Sequence, residues 1–199
     1  MSKPNSRKIE LEKTRSGILE VASDLFMEKG FKNTSTREIA EKCHITQPNL
    51  YHHFKNKKEL YIAVIEELTN KVQIDLFEII NEPLDIEVKL TKMVNVLLEK
   101  HPTNLFLMLN DMFVEMADQT HANLYVMFKK TYVDSFMAVF QEPANAAKLR
   151  PGVSVADGAR FVLYNVSAIL SIQNTYQKTT KQKDIDSFIQ MMLYGISNQ

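Results

Sequence analysis

Lys57 and Lys58 directly follow Asn56, and Glu59 stands three places beyond that asparagine. Asn-x-x-Glu is the spacing of a helix start in which side chain and backbone satisfy each other's unpaired groups. A helix is therefore expected to open at residue 57, with exposed N–H groups and two ammonium groups in its first turn. Groups of those types at that place suit a phosphate oxygen.

Two shorter helical patterns lead up to that start. Ser35 with Glu38 has the same cap spacing, and Ile39 and Ala40 supply the small apolar face of a helix that ends near Cys43. After Cys43-His44-Ile45, Thr46 is a good N-cap, and Pro48 falls in the first helical turn, where its missing N–H costs nothing. A second short helix is expected from about Gln47 to Phe54. Two helices joined by three or four residues form a helix-turn-helix, whose second helix can enter the major groove and present its N-terminal side chains to base edges.

The stretch from Thr14 to Leu68 closely resembles the DNA-binding domain of the TetR family of transcriptional repressors. The resemblance rests on LFMEKGF at the end of an apolar first helix, then TSTREIA, then a turn and LYHHFKNKKEL. It covers a little over a quarter of the chain. It implies an all-α protein of about nine helices, with a three-helix helix-turn-helix domain at residues 1–56 and a ligand-binding and dimerisation domain at 57–199. The turn departs from the family, which usually has a small residue, glycine and valine where this chain has Cys43, His44 and Ile45. If residue 44 needs a positive φ, histidine is among the less penalised non-glycine choices, with some strain.

Resemblance and helix geometry together assign Gln47, Asn49 and His52 to base edges; Gln and Asn suit bidentate contact with adenine. Ser35, Thr36, Arg37, Thr46, Pro48, Tyr51, His53, Lys55, Lys57 and Lys58 complete the DNA-binding set, chiefly toward phosphates. Leu50 and Phe54 are packing residues, and Tyr51 is a candidate for both roles.

Charge is distributed in the same sense. Residues 1–60 carry 12 Lys and Arg against 8 Asp and Glu, whereas residues 61–199 carry 12 against 16, which leaves the whole chain at zero. A basic half steers a protein to the phosphate backbone, although charge runs are more often solvated faces, so the motif carries the inference. No apolar run approaches a membrane span and no signal-peptide core precedes the domain, so a cytoplasmic protein is expected. The single Cys43 excludes an intrachain disulfide framework and a thiolate zinc site. No metal-ligand spacing, nucleophile elbow or phosphate-binding glycine loop marks an enzyme.

Beyond residue 57 the pattern predicts helices at roughly 57–81, 84–100, 103–117, 121–141, 154–177 and 184–197, after an opening helix at 8–30. The stretch Gln141 to Val153 reads as the longest break. The helix from Ser154 is apolar on more than one face and must be buried on more than one side. In TetR-like proteins the last two helices form a dimeric four-helix bundle, which implies a homodimer through residues 154–197 and a palindromic operator in double-stranded DNA.

Between those helices and the reading domain lie many methionines and aromatics. The plain reading is core; the resemblance implies that the middle helices also enclose a ligand, lined by Met108, Met112, Phe113, Met116, His121, Tyr125, Phe128, Tyr132 and Phe136. His121, Tyr125, Phe128, Tyr132 and Phe136 step by four, three, four and four residues, so one helix face is expected to carry them all. A flat ligand could stack there. Haem is one candidate, exchangeable and with Tyr132 or His121 as axial ligand, although no cofactor is required and no other metal is expected. The function implied is a ligand-responsive repressor, released by a hydrophobic or aromatic small molecule and controlling an efflux or detoxification gene. A non-specific structural DNA-binding protein without an effector, or an activator of the same fold, are the alternatives.

Overall fold

The computed structural model of the protein describes residues 3–100, 105–116, 119–176 and 182–195. Every regular element among the described residues is a helix. The reading domain holds α1 (Lys3–Asn33), α2 (Thr36–Lys42) and α3 (Gln47–His53), and α4 (Lys57–Asn81) runs on from it. Next come α5 (Ile86–Lys100), α6 (Leu105–Asn110), α7 (Gln119–Phe128), α8 (Asp134–Gln141), the single turn α9 (Pro143–Ala146), α10 (Val155–Tyr176) and α11 (Gln182–Tyr194).

Three expectations change. The opening helix begins earlier, at Lys3, and its end is broken at Gly30, whose φ of 78° and ψ of 168° leave the helical region. Only glycine takes such a conformation without strain. The break read between Gln141 and Val153 contains α9, held by the buried Asn145, whose Nδ2 donates to the Val139 carbonyl at 2.9 Å. The two middle helices are interrupted by π-helical turns at Asp111–Glu115 and Lys129–Val133. Such turns insert a residue into the helical repeat and often accompany functional sites.

One hydrophobic cluster runs from Ile18 to Ile189, so the reading domain and the helices beyond it share a core. The shared element is α4. Phe26 of α1 meets its Tyr61 edge-on at 5.0 Å, and α5 and α8 pack on it as well. Its far end is fixed by Lys89, only 4% exposed, whose Nζ donates to the Ile80 carbonyl at 2.7 Å and to Glu142 Oε1 at 2.5 Å. A buried ammonium is tolerable only when paired and hydrogen-bonded in this way. Among the described residues, no helix is long and apolar enough to cross a membrane.

Candidate nucleic-acid interface and effector region

The turn between α2 and α3 is built from local hydrogen bonds. Ser35, extended at φ −106°, caps α2 with its hydroxyl accepting the Glu38 N–H at 3.0 Å. The Glu38 side chain turns instead to Lys29 of α1, 2.5 Å away, and braces α2 against α1. At the other end the Ile45 N–H reaches the Ala40 carbonyl at 3.0 Å, and the His44 N–H reaches Glu41 at 3.1 Å. That pair of bonds requires a left-handed residue just past the helix. His44 supplies it at φ 54° and is the one positive-φ residue other than glycine among those described. Thr46 then caps α3 by accepting the Asn49 N–H at 3.3 Å, with Pro48 in the first turn. Asn56 caps α4 by accepting the Glu59 N–H at 2.8 Å.

Within this frame the side chains assigned to DNA divide into two kinds. Asn49 and His52 stand exposed on α3, as do Arg37, Thr46, Lys55 and Ser35 around it. Gln47 is braced: its Nε2 donates to Thr36 Oγ1 at 3.0 Å, and the same hydroxyl lies 3.0 Å from the Tyr51 phenol. Thr36 is itself buried, so one hydroxyl of α2 orients two side chains of α3. Arg37 pairs with Glu41 at 2.9 Å in full exposure, an interaction a phosphate can replace.

Lys57 and His53 are less suited to phosphate than their types suggest. Lys57 lies over the Phe31 ring, 4.4 Å from its centroid, with Nζ 3.4 Å from the Lys32 carbonyl. Burial lowers its pKa, against the opposing pull of Asp111 and Glu115. Burial also lowers that of His53, with the neighbouring His52 and Arg15 acting in the same direction. These influences all disfavour the imidazolium form of His53, which weakens its case as a cationic phosphate contact. Lys58 shares a surface hollow with Arg15, Asn56 and Glu59.

In the middle helices the residues assigned to a ligand separate by depth. Met108, Met112, Met116, Phe128, Tyr132 and Phe136 are buried, with Tyr132 wholly so and its phenol pKa driven upward by burial. Phe113 and Tyr125 are 52% and 43% exposed, and their rings lie 6.1 Å apart. The expectation of a single face from residue 121 to 136 is therefore corrected. Tyr125 and Phe128 already part company on the regular α7, 43% and 3% exposed, and the π-helical turn at Lys129–Val133 alters the angular step beyond them, where the Phe128 and Tyr132 rings lie tilted 5.0 Å apart inside. The His121 side chain lies outside the described residues, as does His101. A separate open cavity of about 530 Å³ lies where α8, α10 and α11 meet, lined by Phe140, Leu149, Phe161 and Met192 among others.

Sequence reading missed Asp111. Nearly buried, it accepts the Phe31 N–H at 2.7 Å and the Tyr61 hydroxyl at 3.4 Å with one carboxylate oxygen. Burial raises its pKa, partly countered by those hydrogen bonds and by Lys57. Burial together with Asp111 also raises that of Tyr61. The packing is tight at Gly30: a Cβ there would come within 3.1 Å of Leu107 Cδ1 and 3.4 Å of Asp111 Oδ1. A lone acid inside the apolar run LFLMLNDMF was the available signal, since a carboxylate so placed must find buried donors.

Comparison with known proteins agrees with this geometry. Residues 18–64 match the family described as bacterial regulatory proteins, tetR family. The HTH-type transcriptional activator FasR of Mycolicibacterium smegmatis is 36% identical over 55 residues, 28% of this chain and 25% of that protein. The match to the curated relatives thus spans only about a quarter to a third of their length. Whole-chain likeness comes from solved structures and concerns the fold. A crystal structure of the regulator FadR from Bacillus subtilis in complex with stearoyl-CoA aligns with TM-score 0.69 at 17% identity, over 92% of this chain and 99% of that one. AibR in complex with isovaleryl coenzyme A and operator DNA aligns with TM-score 0.67 at 21% identity, over 92% and 98%.

Proposed function

This chain belongs to the TetR family of bacterial regulatory proteins, and from that premise we propose that it is a cytoplasmic, ligand-responsive repressor that binds a palindromic operator as a homodimer. The observation that carries the reading is the α2-turn-α3 unit: a capped reading helix with Asn49 and His52 exposed and Gln47 held in place by Thr36. Amide side chains on the first turns of such a helix are the groups that discriminate base edges, and the surrounding hydroxyls and cations position it on phosphate.

Dimerisation through α10 and α11 is supported by Phe161, Tyr164, Met191 and Tyr194, large side chains exposed on those two helices. Exposed apolar area of that kind on one side of a chain calls for a partner surface. A second copy would bring two reading helices to bear on one duplex.

The proposed effector is an apolar small molecule that enters the middle helices by displacing the pliant Met108, Met112 and Met116 lining. An acyl-coenzyme A is the first compound to try, because FadR and AibR share the fold and are described with such ligands. Asp111 gives the route by which occupancy would reach the DNA. It sits in the π-helical turn next to Met112 and holds the α1–α2 junction through Phe31 and α4 through Tyr61. A ligand that binds better when this junction is shifted lowers operator affinity by its differential binding energy. Exchangeable haem with Tyr132 or His121 as axial ligand is the narrower reading, and it requires the sealed core at Tyr132 to open. Its absence would be registered as an unshifted Soret band on haemin titration.

The test is a mobility-shift titration of the full chain on DNA from upstream of its own gene and of neighbouring efflux genes, with and without stearoyl-CoA. A discrete complex that the ligand dissolves is expected. Equal affinity for every duplex would leave a structural DNA-binding protein in its place. Ligand-enhanced binding with activated transcription would reverse the sign of control, as the name of FasR illustrates for one relative.

A further inference from the structure

Packing of α1 begins at Ile18 and Leu19, 1% and 5% exposed, yet the helix starts at Lys3. Each residue from Ser6 to Lys13 is exposed, including Ile9 at 58% and Leu11 at 41%. A helical segment of this length without a packed face has little stability of its own and is sustained by continuing a helix that is packed. Folding of the domain does not require it.

Its charge and direction indicate what it meets. From Lys3 to Arg15 there are five cations and two carboxylates. The one ion pair described within it is a loose contact of 4.0 Å between Lys8 and Glu12, in full exposure. At 3.6 residues per turn Arg7, Lys8 and Arg15 fall within about 100° of arc, on one face of the helix. The orientation of that face is given by Arg15, whose guanidinium lies 4.7 Å from the centroid of the Phe54 ring, at the end of α3. Arg15 also borders the hollow formed by Asn56, Lys58 and Glu59 at the start of α4. The cationic face is therefore continuous with the end of the reading helix and with the phosphate-type groups beside it, and it carries Arg7 and Lys8 roughly 12 Å past Arg15.

We propose that this extension of α1 is a second DNA-contacting element, in which Arg7 and Lys8 bind backbone phosphates flanking the half-site read by α3. Electrostatic complementarity and continuity with the reading surface argue for it, and the proposal rests on the DNA-binding reading above. The contacts carry no base information; they lengthen the footprint and add to the salt dependence of binding.

The experiment compares the full-length parent with the double variant Arg7→Ala/Lys8→Ala and with Lys130→Ala, an exposed cation between α7 and α8. The probe is the duplex that the parent enriches from a random-sequence library. The double variant should keep its circular dichroism and melting temperature, bind roughly tenfold or more weakly at low salt, and have a log K against log salt slope smaller by about two to four, since two cations are lost from each of two subunits. Its hydroxyl-radical footprint should shorten at both outer edges, while Lys130→Ala matches the parent. An unchanged slope and footprint in the double variant, or an equal loss in Lys130→Ala, overturns the proposal and leaves the reading domain intact. A parent that enriches no duplex overturns the DNA-binding reading, and this one with it.

Discussion

Asp111 and Phe31, 80 residues apart in the chain, are joined by a hydrogen bond of 2.7 Å from the Phe31 N–H to the carboxylate. The donor follows the left-handed Gly30, where the first helix of the reading domain breaks. Removing the acceptor leaves a part-buried N–H and the Tyr61 hydroxyl without it, so Asp111→Ala should lose about 1.5–3 kcal/mol of stability by urea unfolding. Gly30→Ala should lose about 1–2 kcal/mol from its φ of 78° alone, with crowding at Leu107 adding to that.

Acidity offers a separate handle on the same carboxylate. Burial raises the Asp111 pKa above its usual 3.8, so the folded chain holds that proton more tightly than the unfolded one. The folded state is then favoured below the unfolded value and loses that advantage as pH rises through the folded one. Asp111→Asn keeps an acceptor without the charge. Stability of the parent relative to Asp111→Asn should rise as pH falls from neutral toward about 4, measured by denaturant titration at each pH. A constant difference would show that the carboxylate titrates as it does in the unfolded chain.

His44 occupies its turn at φ 54°. His44→Gly relieves the left-handed strain and loosens the unfolded chain, for a net gain of about 0.5–1 kcal/mol. His44→Val, β-branched, should lose more than about 1 kcal/mol. Thermal melts of the two variants should therefore move in opposite directions.

Thr36→Val deletes the hydroxyl shared by Gln47 and Tyr51 while keeping the shape of a buried side chain. Operator affinity should fall about 5- to 10-fold because Gln47 must then be ordered by DNA alone, at a cost of about 1 kcal/mol. The salt slope should not change, since no phosphate cation is touched. A changed slope would place Thr36 among the phosphate contacts instead.

The sequence was most readable where structure is local. The N-caps at Ser35, Thr46 and Asn56 and the left-handed position at His44 depend on residues within a few places of one another and are found, although the Glu38 side chain pairs with Lys29 rather than returning to Ser35. Lys57 illustrates the opposite case. Its type and place suit phosphate, but its ammonium lies over Phe31, a partner 26 residues earlier that spacing alone does not reveal. The stripe from His121 to Phe136 was drawn with a uniform helical period, and a π-helical turn within it has no sequence mark comparable to a cap. Asp111 was conspicuous only as an acid among apolar neighbours; its donors come from α1 and α4, brought together by the tertiary fold.

Lys89 closes the far end of α4 as Asn56 closes the near end. A rod capped at one tip and tied down at the other resists fraying at its ends, which favours movement as one piece. Breaking the pairing of Lys89 would leave a buried ammonium without its partners, a cost that favours keeping the far pivot intact. Under the dimeric, effector-responsive reading proposed above, the response of such a lever would be two-valued: intermediate effector doses would change how many molecules have switched rather than how far each has moved.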